Sequence, residues 1–191
     1  MTSPTSTIIS RLSRLTTVLG ITFLAACGEQ TTPENRVQTE ADLPPIVRLV
    51  TGTNADGIGT MLYDYTPTEA VPLNGSTITR LWETGPVPTS YTITEDKAKV
   101  AGNAYRDGFG GTNLYMADIP PGSSLEDIPM HRQESLDYVA ILSGEIYLIL
   151  EDREVLMKPG DILVQGGNLH SWENRSNQYT RMLVVVLTAS E

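Results

Sequence analysis

The chain has 191 residues, 13 basic against 23 acidic, a net charge of −10 and an isoelectric point near 4.6. So acidic a surface repels phosphate backbones and anionic headgroups, which excludes nucleic acid as a partner and leaves lipid attachment as the only membrane contact. The single cysteine excludes internal disulfides and thiolate metal clusters.

In chain order, the first segment reads as a processing signal. Arg11 and Arg14 form a basic start, and Leu15 to Leu24 is an apolar stretch too short to span a bilayer. It ends in Leu24-Ala25-Ala26-Cys27, followed by Gly28. That run resembles a bacterial lipobox, in which the chain is cut before the cysteine and a lipid is attached to its sulfur; an ordinary secretory signal with a chance cysteine is the alternative. The expected organisation is a lipoprotein-type signal over 1–26, a flexible linker over 27–45 carrying lipidated Cys27, and one domain over 46–191. Removing 1–26 leaves 11 basic and 23 acidic residues, a charge of −12. The resemblance implies an exported protein, lipid-anchored in the cell envelope, on the periplasmic or outer-membrane side in a Gram-negative host.

From Ile46 onward, short β-prone segments alternate with Gly, Pro and Asn. Strands are predicted at Ile46–Val50, Met61–Tyr65, Thr77–Thr84 and Asn113–Ile119. They continue at Asp137–Ser143, Glu145–Glu151, Glu154–Lys158, Asp161–Gln165, Leu169–Asn174 and Thr180–Thr188. Such spacing indicates an all-β sandwich or barrel. Tyr138 to Leu142 and Leu183 to Leu187 are apolar on both faces, so one face lines a core and the other needs a cover, a second sheet or a second subunit. A homodimer is expected on that ground.

The chain holds two histidines, His131 and His170. Strand side chains at i and i+2 share a face, so His131, Gln133 and Asp137 can point inward together, as can His170, Trp172 and Asn174. Antiparallel pairing of these segments would gather two imidazoles, a carboxylate and an amide. Two histidines and one carboxylate suit iron(II), with open positions for oxygen or substrate; manganese, nickel and zinc also accept that set. Trp82, Tyr115, Trp172 and Asn174 are expected to wall a substrate cavity in the barrel mouth.

Two motifs carry a family resemblance. Gly122 to Gly144 is similar to the first cupin motif, with His131 at its first histidine, Gln133 in place of the second and Asp137 in place of the glutamate. Gly160 to Asn174 is similar to the second motif, matching at Gly167, His170 and Asn174, with Gln165 where proline is usual. The chain is therefore identified as a member of the cupin superfamily, implying a single-domain double-stranded β-helix, a jelly-roll barrel. Ile46-Val47-Arg48, Met130-His131-Arg132 and His170-Ser171-Trp172-Glu173-Asn174 resemble in particular the one-domain cupin oxidoreductases encoded beside fungal polyketide synthases. The resemblance implies a metal-dependent enzyme, oxidoreductase or dioxygenase-like, or else a decarboxylase or isomerase, acting on a small organic substrate of aromatic or ketide-like character. The alternative is a non-catalytic cupin lipoprotein that binds a small molecule.

Overall fold

The computed structural model describes residues 36–99 and 110–190. The signal segment, Cys27 and the first part of the expected linker lie outside the described residues. Among the described residues eleven strands carry the fold: β1 (Arg48–Thr53), β2 (Gly59–Tyr65), β3 (Ala70–Leu73), β4 (Ser76–Glu83), β5 (Thr112–Ile119) and β6 (Ser135–Ser143) come first. They are followed by β7 (Ile146–Leu150), β8 (Glu154–Met157), β9 (Ile162–Gln165), β10 (His170–Glu173) and β11 (Thr180–Thr188). Helix is confined among the described residues to 3-10 turns at Glu40–Asp42 and Lys97–Lys99.

The strands form a six-stranded sheet in the order β3-β4-β5-β11-β6-β9, a three-stranded sheet β10-β7-β8 and a β1-β2 hairpin, every pairing antiparallel. The last strand, β11, inserts between β5 and β6, the crossing that turns a meander into a jelly roll. Inward side chains of the two larger sheets meet in one core: Ile78, Ile119, Val139 and Ile141 from one, Ile146, Leu148 and Trp172 from the other. Each aliphatic side chain so buried contributes about 2 kcal/mol toward holding the two sheets together.

Two buried ion pairs fasten outer segments to this barrel. Arg48 grips Asp96 with two hydrogen bonds of 2.8 and 2.6 Å and lies 4.4 Å over the Tyr65 ring, whose hydroxyl also donates to Asp96. Arg181 pairs with Asp118 at 2.6 and 2.8 Å and donates a further bond to the Pro44 carbonyl. Part of the stretch expected as a flexible linker over 27–45 is thereby held to the barrel. Gln38 bonds the Asn177 carbonyl and accepts from the Tyr179 amide, so residues from about Gln38 to Pro44 belong to the folded unit.

Two further differences from the expected elements have local causes. β3 was not foreseen: its four residues are all exposed and include Pro72, tolerated because β3 is the edge of its sheet. In β4 the register shifts between Arg80 and Trp82, so that Leu81 is bulged out and Trp82 pairs with Leu114. A bulge reverses which face later residues occupy. Trp82 thus turns outward to Arg48, its ring 6.0 Å from the guanidinium, and does not line the cavity.

Candidate functional site

Between the facing sheets lies a cavity of about 100 Å³ lined by both polar and apolar side chains. His131 and His170 enter it as a pair. Their backbones form an isolated antiparallel bridge with reciprocal N–H to O=C bonds of 2.8 and 2.9 Å. This bridge joins the segment before β6 to the start of β10, and the ring centroids stand 4.4 Å apart at 53°.

The ring orientation follows from hydrogen bonding. Nδ1 of His131 lies 2.8 Å from the Pro129 carbonyl, and Nδ1 of His170 lies 3.0 Å from the Asn168 carbonyl. A carbonyl only accepts, so in both rings Nδ1 carries the proton and, in the neutral ring, Nε2 keeps its lone pair. Burial depresses the His170 pKa below the ordinary 6.5, the Asn168 bond opposing and the His131 charge reinforcing the shift. His170 is therefore a neutral imidazole at pH 7, the form that binds a metal.

Gln133, Asp137 and Gln165 share the cavity wall. Asp137 on β6 stands opposite Gln165 on β9. Burial pushes the Asp137 carboxyl up, against the Ser135 side-chain hydrogen bond and the field of His131, and its Oδ1 is buried without a hydrogen-bond partner. The Gln165 amide is engaged locally, donating to the Gly166 carbonyl at 3.1 Å and to Asn168 Oδ1 at 2.5 Å.

These donors partly fit a divalent metal. The two imidazoles are pre-oriented for one, and Gln133 adds an amide to the wall. Among the described residues, however, no three His, Cys, Asp or Glu side chains converge on one point. The expected triad of His131, His170 and Asp137 is therefore not assembled. Aspartate is one methylene shorter than the glutamate of the family motif, which shortens its reach toward the imidazoles.

The expected substrate-pocket residues divide. Tyr115 and Trp172 line the cavity, with the Trp172 ring edge-on to His170 at 6.3 Å. Trp82 faces away, as described. Asn174 lies just beyond β10, fully buried, and does not line the cavity. Its Nδ2 bonds the Ile119 and Gln178 carbonyls at 3.1 and 2.7 Å, while its Oδ1 accepts from the Ser176 amide and hydroxyl. It closes the β10–β11 turn, so its match to the motif has a structural cause. Asn113 escaped the sequence reading altogether: it is 1% exposed, on β5, and neither polar atom of its amide has a hydrogen-bond partner. The available signal was an asparagine at the same inward parity as Tyr115.

A jelly-roll barrel with an imidazole pair facing an internal cavity defines a cupin-type protein. Comparison with known proteins agrees. The cupin domain family matches residues 115–186, from β5 to β11 and including both histidines. The chain is 30% identical over 157 residues to a "Cupin-domain-containing oxidoreductase" (srdD) of Neurospora crassa, covering 78% of each chain. It is 44% identical over 82 residues to "Phomopsin biosynthesis cluster protein C'" of Diaporthe leptostromiformis, covering 42% of each, so the match spans less than half of that relative. Among solved structures it is similar to the Schizosaccharomyces pombe Cnp3 cupin domain, at 12% identity and a TM-score of 0.46 over 74% of this chain and 87% of that one. The chain belongs to the cupin family.

Proposed function

We propose that the protein is a metal-dependent cupin enzyme acting on a small organic molecule held in the barrel. The observation that carries this reading is the pair of imidazoles with both Nδ1 atoms tied to carbonyls, since a buried and a half-buried ring at 4.4 Å gain from a shared cation. His131 and His170 would hold the ion through Nε2, with Gln133 as a weak oxygen donor. Iron(II) is the favoured ion, and manganese, nickel and zinc fit the same donors. When bound, such an ion supplies Lewis acidity or an oxygen-binding position. The chain's own residues do the rest: Trp172 and Tyr115 give an apolar wall that excludes water, and Asp137 places a buried carboxylate beside the bound molecule. Oxidation, decarboxylation and isomerisation all suit that arrangement, and the similarity to a cupin-domain-containing oxidoreductase favours oxidation.

The detachment of Asp137 from the imidazoles favours a second reading, a cupin that binds its small molecule without transforming it. Calorimetric titration of metal into metal-free protein separates the two. Restoring a third imidazole with Gln133→His should tighten binding at least tenfold under the metal reading and leave it unchanged under the other.

Around this site we propose an envelope protein anchored through Cys27, forming a homodimer and binding no nucleic acid. The surface argument is the uncharged outer face of β6 and β9, where Tyr138, Leu142, Ile162 and Val164 are 43, 47, 68 and 60% exposed. A second copy of the same face covers it without bringing acidic residues together.

A further inference from the structure

The mouth of the cavity is set by a turn that metal binding does not use. Of the side chains lining the cavity, only Leu73 and Asn74 are exposed, Leu73 at 39%. Both sit at the tip of the β3–β4 hairpin, with Ser76 on the same wall. Asn74 and Gly75 have φ of +44° and +71°, the left-handed pair that closes a two-residue hairpin. The tip overhangs its sheet: Leu73 pairs with Ser76, while the pairing of β4 to β5 begins only at Thr77. It rests against the loop before β6, where a Cβ on Gly75 would lie 2.7 Å from Asp127 Cβ and 3.2 Å from the Asp127 carbonyl oxygen. That loop is tied down. Ser124 donates from its amide and its hydroxyl to Asp127 Oδ2 at 3.0 and 3.2 Å, and the Ile128 amide donates to the Ser124 carbonyl at 2.9 Å. The Ile128 carbonyl accepts from the Ser171 hydroxyl, beside His170, and the buried Ile128 side chain is part of the cavity wall.

We propose that residues 73–76 form a flap over the cavity mouth: the tip lifts off Asp127 to let a small organic molecule in and out, and Leu73 touches the outer end of that molecule when the flap is down. The inference rests on the reading of the barrel as a small-molecule site. Lifting the tip costs little, because all four residues of β3 are exposed and the strand is the edge of its sheet, so no buried side chain follows it into water. The opposite jaw stays in place, bonded within itself and to β10. Glycine at position 75 meets two demands at once, a positive φ and the close approach to Asp127. Any side chain there props the tip away from the opposite jaw.

Trp172 lines the cavity and is one of two tryptophans, so in a Trp82→Phe background of the full chain its fluorescence reports what enters. The test is quenching of Trp172 by acrylamide, a small uncharged organic molecule, with Trp82→Tyr as the background if the phenylalanine one does not fold. Gly75→Ala should raise the Stern–Volmer constant about threefold or more. Gly57→Ala carries the same conformational strain, at φ +78° in the β1–β2 turn with nothing within 4 Å, and should leave the constant unchanged. A Gly75→Cys/Asp127→Cys pair in a Cys27→Ser chain, bridged by oxidation, should be quenched about threefold less than the same protein after reduction. If the bridge does not close, the two glycine variants decide alone. Gly75→Ala quenched like its background, an equal rise in Gly57→Ala, or a bridged form quenched like the reduced one overturns the proposal. Acrylamide needs no metal, so wild type that holds no metal yet shows flap-dependent quenching removes the metal reading and keeps the flap. Wild type that holds metal with quenching indifferent to the flap does the reverse.

Discussion

Two buried asparagines should respond to truncation in opposite ways. Asn174 makes four hydrogen bonds, two donated to the Ile119 and Gln178 carbonyls and two accepted from Ser176. Asn174→Ala removes all four and strands the Ile119 carbonyl in a dry environment. Each lost bond costs about 1 kcal/mol, and an orphaned buried acceptor brings the total to roughly 3 to 4 kcal/mol. For a domain of this size that corresponds to a fall in Tm of about 10 °C. Asn113→Leu removes an amide that makes no bonds and replaces it with an apolar group of similar volume, so Tm should hold or rise. Differential scanning calorimetry of the two variants side by side is the assay. If Asn174→Ala melts within 3 °C of wild type, the hydrogen bonds do not close the β10–β11 turn and the structural explanation of this motif residue fails. A large loss for Asn113→Leu would show that its amide is already satisfied.

Acid should weaken the protein through Asp96. Burial alone would raise its pKa, but the hydrogen bonds from Arg48 and Tyr65 outweigh burial and hold it below the ordinary 3.8. A carboxylate whose folded pKa is depressed contributes stability that is present above its unfolded pKa and lost as pH falls through the folded value. Urea unfolding between pH 6 and pH 3 should therefore show a flatter pH dependence in Asp96→Asn than in wild type, and parallel curves would refute the pairing. Gly144 has φ +71°, and a Cβ there would meet the Tyr179 carbonyl at 2.3 Å. Gly144→Ala should destabilise by about 2 kcal/mol or more, measured by chemical denaturation. Light scattering should give the mass of a dimer for wild type and of a monomer for an Ile162→Lys/Val164→Lys variant, with a monomeric wild type removing the proposed partner face.

Much of this architecture was visible in the chain because the barrel strands are periodic and sharply punctuated. Thr180–Thr188 was read to the residue, and Thr112–Ile119 and Ser135–Ser143 to within two, since apolar runs there end at Pro120, Gly144 and Ser143. β3 escaped because four residues with a proline and no buried side chain leave no pattern to detect. The His131–His170 pairing was legible because strand parity and antiparallel return fix it without knowledge of side-chain conformations. Trp82 was misplaced for the converse reason: one bulged residue, Leu81, reverses parity and leaves no mark in composition. Asp137 shared the expected face but not the expected point of convergence, a matter of side-chain reach that spacing does not encode. Asn113 stayed hidden because an isolated polar residue in a strand looks like an outward one until its cross-strand partners are known.

The central claim is that His131 and His170 hold a metal ion. Elemental analysis of anaerobically purified wild type and of the His131→Ala/His170→Ala variant, each checked for an intact melting transition, addresses it directly. The account predicts about one equivalent of iron, manganese, nickel or zinc in wild type and its loss in the variant. Wild type free of stoichiometric metal, or a variant that retains it, would contradict the claim.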